Sequence, residues 1–94
     1  MRIKRNQDLI LRNIAGEAVL IPTGSFAAKF NGMINLNGPA AFIWEKMEEI
    51  SSREEMVQLI LDRYEIDEET ARKDVNGFLD TAIHVGYARE EDGE

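Results

Sequence analysis

The chain has 94 residues, 44% of them hydrophobic and 31% charged, which suits one small soluble domain with a single modest core. It has no cysteine, so disulfide frameworks and thiolate zinc sites are excluded, and no apolar run is long enough to suggest a membrane-spanning helix. The formal charge is −7 and unevenly spread: residues 1–44 carry five basic and two acidic side chains, +3, which leaves −10 for residues 45–94 and opposes binding to phosphate backbones.

The N-terminus, MRIKRNQD, is basic, but no long apolar stretch follows it, so it does not read as a secretory signal, and a cytoplasmic setting is expected. Residues 1–8 are expected to be flexible, with an ordered core over about 9–88 of a single domain. Leu9–Ile14 and Ala18–Ile21 are apolar, partly β-branched runs around Ala15-Gly16-Glu17, a β-hairpin pattern. Pro22 ends the second strand or confines it to an edge. Thr23–Ser25 reads as loop. The Ala-rich Phe26–Phe30 stays between loop and one turn of helix, and Gly32–Leu36 reads as a short third strand.

Asn37 is a good N-cap and Pro39 suits a first helical turn, so Ala40, Ile43, Trp44 and Met47 place a first helix running to about Glu49. Ser51 and Ser52 each precede a glutamate by three residues, the spacing of a capping box, and Met56, Val57, Ile60, Leu61 and Tyr64 form the stripe of a second helix. Asp67 caps a third, whose stripe is Ala71, Val75, Phe78, Leu79, Ala82 and Ile83, with Glu68 and Glu69 favouring its N-terminal end. Gly86 is the expected C-cap, Tyr87–Arg89 adds a last apolar contact, and residues 90–94 read as a flexible tail.

Chemistry-bearing motifs are sparse. His84 is the lone histidine and has no nucleophile in a triad context; Ser25, Ser51 and Ser52 occupy loop or cap positions. The acidic run Asp62, Glu65, Asp67, Glu68, Glu69 lacks the spacing and glycine of a calcium loop and reads as a solvated cap. No glycine-rich phosphate motif occurs, so no metal or cofactor is expected. Met47 and Met56 read as core, Met33 as core or adaptable surface, and Trp44 as a core anchor.

The run PTGSFAAKFNGMINLNGPAAFIW, followed by LDRYEIDEETARKDVNGFL and HVGYA, resembles the PqqD-like family, named for coenzyme PQQ synthesis protein D. That family includes the recognition elements of ribosomally made, post-translationally modified peptide (RiPP) pathways. The resemblance spans roughly Leu9 to Ala88. Its most specific parts are Leu36-Asn37 with Ala41-Phe42-Ile43-Trp44, and the D-x-x-x-A-x-x-D-V-x-x-F-L pattern from Asp67 to Leu79. Members often carry Thr or Ser and then Gly after the Asn of that pair, where this chain has Pro39 and Ala40, so a local change in the helix start is expected.

The resemblance implies an α+β, winged-helix-like fold, three strands followed by three helices, the order the residues themselves suggest. It implies a peptide chaperone that is not an enzyme. Such a protein binds the leader of a precursor peptide and presents it to a modifying enzyme, often a radical S-adenosylmethionine (radical SAM) enzyme, in PQQ biosynthesis or another peptide pathway. The leader would add as a strand beside the third strand, over the third helix. The residues expected to bind it are Phe30, Met33, Ile34 and Asn35 from the strand side, and Val75, Phe78, Leu79 and Ala82 as an apolar floor. Alternation puts Met33 and Asn35 on one face and Ile34 and Leu36 on the other, without saying which face meets the helix. Lys29 and Arg12 are read as solvated charges rather than partners for an acidic leader. Exposed edges also allow a homodimer. The rival reading is a winged-helix DNA-binding transcription regulator, opposed by Asp67, Glu68, Glu69, Asp74 and Asp80 on the helix that would face phosphate.

Overall fold

The structure is a computed structural model and describes residues 2–30 and 32–91. In chain order the elements are β1 (Arg2–Arg5), β2 (Leu9–Ile14), β3 (Glu17–Pro22), α1 (Gly24–Lys29), β4 (Ile34–Leu36), α2 (Gly38–Lys46), α3 (Arg53–Arg63), α4 (Glu68–Val85) and β5 (Ala88–Glu91). β2, β3 and β4 form one antiparallel sheet in that order, while β1 pairs with β5 in a second, two-stranded one. The three strands followed by three longer helices are therefore present, with the short α1 inserted before β4.

The hairpin closes through Ala15 (φ 53°) and Gly16 (φ 83°), both left-handed, a type I′ turn whose twist matches that of the strands. Register runs from Leu9 opposite Pro22 to Ile14 opposite Glu17, and β4 joins with Leu20 opposite Ile34 and Ala18 opposite Leu36. One sheet face, with Leu9, Leu20 and Leu36, packs on the helices. There it meets Ile43, Trp44, Met47, Met56, Val57, Ile60, Ala71, Val75, Leu79 and Ala82 in one buried cluster. Burying each large apolar side chain in it contributes about 1.5–3 kcal/mol.

The helix starts lie where the side chains can cap them. Asn37 accepts from the Ala40 N–H at 2.9 Å, Ser52 from Glu55 at 3.1 Å and Asp67 from Thr70 at 2.8 Å. Of the two serines, Ser52 is the cap; Glu55 reaches back to accept from the Ser51 N–H at 2.8 Å. α1 has no such cap of its own; the Asp8 carboxylate, from the turn before β2, accepts from the Ser25 hydroxyl (2.8 Å) and the Phe26 N–H (3.4 Å) instead. That borrowed anchor makes Gly24–Lys29 a helix where local sequence was ambiguous. Gly86 ends α4 in the left-handed region (φ 102°).

Some expectations need correction. Residues 2–5 are a strand with Ile3 buried in the core, not a flexible arm, and Glu90 and Glu91 belong to β5 rather than to a loose tail. The expected tail's remaining residues, 92–94, lie outside the described residues. The third strand is shorter than Gly32–Leu36, and the first helix ends at Lys46 rather than Glu49. β3 reaches Pro22 without losing a ladder bond, because alternation from the I′ turn directs that position away from β2, past the end of β4.

Candidate functional site

β4 is one of the two edges of the three-stranded sheet. The I′ turn makes Ile14 and Glu17 a hydrogen-bonded pair, so alternation leaves Ala18 and Leu20 of β3 to bond Leu36 and Ile34. The main-chain N–H and C=O of Asn35 then point outward from the sheet. The other edge, β2, is blunted by Arg12, whose guanidinium donates to the Leu11 carbonyl at 3.2 Å. β4 is protected chiefly by being only three residues long.

The same register settles the two faces. Ile34 lies on the core side with Leu20 and packs against the buried cluster, while Asn35, opposite Val19, lies on the outer side. Met33 precedes the strand and is 59% exposed. Phe30 is half-buried in an aromatic trio: its ring lies 5.7 Å from Phe26 and 6.2 Å, edge-on, from Tyr87. Since Tyr87 directly follows Gly86, this trio ties the entry to β4 to the C-terminal end of α4, and α2 packs against both elements.

Of the expected floor residues on α4, Val75, Leu79 and Ala82 are fully buried and hold the helix to the core. Phe78 is half-buried and reaches the surface. A residue outside the expected set joins it: Val85, seven positions on and 41% exposed, lies on the same side of the helix, with exposed Asp74 and Thr81 between and beside them. The signal for Val85 was the spacing of seven from Phe78; the apolar stripe had been closed at Ile83.

The opposite flank of α4 is fastened to α3. Arg53 bonds Asn76 at 3.0 Å and Asp80 at 2.8 Å, and Arg72 pairs with Glu54 and Glu68. Hydrogen bonds from Arg72, and then from Gln58, hold the Glu54 carboxyl below the usual range, and the same pairing raises the Arg72 guanidinium. The apolar flank bearing Phe78 and Val85 is thus the side of α4 left free of these pairs.

His84 is exposed in the last turn of α4, the Ser25 hydroxyl serves the α1 anchor, and among the described residues no group of three or more His, Asp or Glu side chains could hold a metal ion. Lys29 and Arg12 are exposed, and neither is in an ion pair among the described residues. The geometry offers an open strand edge at Asn35, with an apolar side chain below it at Ile34 and aromatic side chains at its entry. Such an edge can add an extended peptide.

The sequence pattern of the family described as Coenzyme PQQ synthesis protein D (PqqD) matches residues 17–87. Two solved structures share the fold. TbiB1 in complex with the TbiA(beta) leader peptide superposes with a TM-score of 0.70 at 22% identity, covering 96% of this chain and 99% of that one. Lasso peptide synthetase B1 complexed with its leader peptide gives 0.74 at 18% identity, covering 96% and 100%. No curated protein matches the sequence.

Proposed function

Because the chain belongs to the PqqD family, we propose that it is a peptide-recognition module that binds the leader of a ribosomally made precursor peptide and presents it to a modifying enzyme. The observation that carries this reading is the open β4 edge, whose entry at Phe30 packs on Tyr87 just past the end of α4. The two solved structures of the same fold, each with a leader peptide bound, support it.

The leader adds to β4 through the outward N–H and C=O of Asn35, each bond contributing about 0.5–1.5 kcal/mol net. Alternate peptide side chains then point toward Ile34, Phe78 and Val85 or toward Met33 and Asn35. Phe30 borders the entry. Val75, Leu79 and Ala82 act beneath the surface, by keeping α4 at a fixed height. The protein carries out no chemistry of its own and needs no cofactor; its partner is a radical SAM or other peptide-modifying enzyme of a PQQ or related pathway, which must engage a surface other than this edge. DNA binding has no comparable support, since α4 opens with exposed Glu68 and Glu69 after the Asp67 cap and would meet phosphate with like charge.

The test is a titration of synthetic leader peptides, taken from candidate precursors encoded near this protein, followed by fluorescence anisotropy. Asn35→Pro removes the outward donor and leaves the β3 side of β4 paired; it is expected to weaken binding about tenfold or more, since about 1.4 kcal/mol is one decade. Val85→Asp should do the same from the helix side. Asn13→Pro, at the equivalent outward position on β2, should bind as the parent does. Equal affinities for the parent and the folded Asn35→Pro variant would rule out strand addition at this edge.

A further inference from the structure

The sheet face turned away from the helices is apolar. Alternation along the strands places Ile10, Arg12 and Ile14 of β2, Glu17, Val19 and Ile21 of β3, and Asn35 of β4 on it. Two of the three most exposed large hydrophobic residues belong to this side, Ile14 at 46% and Met33 at 59%. Val19 is only 4% exposed yet stands apart from the main core cluster, so its neighbours on this face cover it. At the Met33 end of the sheet, against α1, lies an apolar hollow of about 280 Å³ walled by Ile21, Pro22, Ala27, Phe30, Gly32 and Met33. α1 borders this face at Ala27, beside Ile21, while β3 and β4 give their other faces to the longer helices.

Charge decides what can cover it. The strand residues of this face carry one cation, Arg12, and one anion, Glu17, on adjacent strands. Arg12 donates only to the Leu11 carbonyl, and neither side chain is in an ion pair among the described residues. A face with one free charge of each sign gives no preference to a strongly basic or strongly acidic partner. It is complementary to itself: a two-fold axis lying between two such faces can set Arg12 of each copy against Glu17 of the other. The rest of the surface argues the same way. Residues 45–94 carry −10, so two copies repel through their helical side and approach at least cost through this neutral one.

We propose that this outer sheet face is a self-association surface, which pairs two copies of the chain sheet to sheet, with Ile10 and Ile21 beside the buried Val19 at its apolar centre, Ile14 and Met33 toward opposite corners, and reciprocal Arg12–Glu17 contacts. The pairing leaves the main-chain groups of the β4 edge unpaired but covers Met33 and Asn35, which the proposed leader would also face; its argument rests on the sheet face and not on the peptide-binding reading.

Sedimentation velocity over micromolar to millimolar protein tests it. The parent is expected to shift from one to two copies with concentration. Arg12→Glu and Ile14→Asp, both at exposed positions, should each raise the dimer dissociation constant about tenfold or more through like charge or buried charge at the contact. Glu17→Arg should weaken it likewise, and the double exchange Arg12→Glu with Glu17→Arg should restore it. Circular dichroism establishes that each variant is folded. A parent that stays a single copy throughout overturns the proposal, and so does a dimer that Ile14→Asp and Arg12→Glu leave intact, because the contact would then lie on another surface.

Discussion

Two glycines, one within α4 and one that ends it, should respond oppositely to the same substitution. Gly77 lies mid-helix, exposed, and a Cβ built on it meets nothing within 4 Å. Gly77→Ala is therefore expected to stabilise the fold by up to about 1 kcal/mol, through helix propensity and a less entropic unfolded chain. Gly86, at φ 102°, also has room, with the Phe26 ring edge 3.7 Å from the added atom, but its backbone conformation is costly for any residue with a Cβ. Gly86→Ala should destabilise by about 1–2 kcal/mol. Urea midpoints read both, and a shift of the same sign in both would mean that local backbone preference does not govern this helix. The site residues were legible to a similar depth. Alternation separated Ile34 from Met33 and Asn35 without saying which face meets the helices, and the stripe assigned Val75, Phe78, Leu79 and Ala82 to one apolar face but not to a depth. Depth depends on what packs above the helix, and sequence spacing does not contain it. Val85, which the proposed site adds, lies at the margin of the stripe, where periodicity fades and exposure decides.

Helix starts were the most readable elements, because a cap is a local event between residues three apart. Asn37, Ser52 and Asp67 all accept the expected N–H. The strand ends and α1 were less readable: β4 is bounded by its ladder to β3, and α1 by the carboxylate of Asp8, which is sixteen positions before Gly24. The caps have a pH consequence. Hydrogen bonds from Thr70, side chain and then backbone, hold the Asp67 carboxyl below its ordinary value. Glu48 is lowered chiefly by the Arg5 backbone N–H and Glu54 by Arg72. A carboxylate with a depressed folded-state pKa contributes its full stabilisation above the unfolded-state value and loses it as pH falls through the folded one. Stability should thus be level near neutrality and decline as pH drops below about 4. Asp67→Ala is expected to lower the urea midpoint at neutral pH, with the gap from the parent closing in acid. A gap that stays constant into strong acid would show that the Asp67 charge is not what fixes the start of α4.

At the scale of the whole molecule the first and last described strands pair with each other, and this was the least legible feature. The sequence RIKR has one apolar residue among three charges, and nothing local distinguishes it from a solvated arm. Its partner strand lies more than eighty positions away: Arg2 is opposite Glu91 and Arg5 opposite Ala88. The closure is nevertheless well anchored. Ile3 is 2% exposed within the core; the Arg5 N–H donates to Glu48 at 2.9 Å and its guanidinium to the Trp44 carbonyl at 3.1 Å. The Asn6 N–H and side-chain amide donate to the carbonyls of Tyr87 and Gly86 at 2.8 and 3.0 Å. Ile3→Ala is therefore expected to cost about 2–5 kcal/mol, the range for a buried aliphatic truncated in a core that relaxes only partly. Because Asn6 holds the Gly86–Tyr87 turn, and Tyr87 packs on Phe30 at the entry to β4, the loss should extend beyond stability. Hydrogen exchange should show faster opening of the β5 amides and of the Tyr87 end of α4, with the α3 amides changing only as global stability does. A midpoint and an exchange pattern unchanged by Ile3→Ala would mean that the strap rests on the core without holding it.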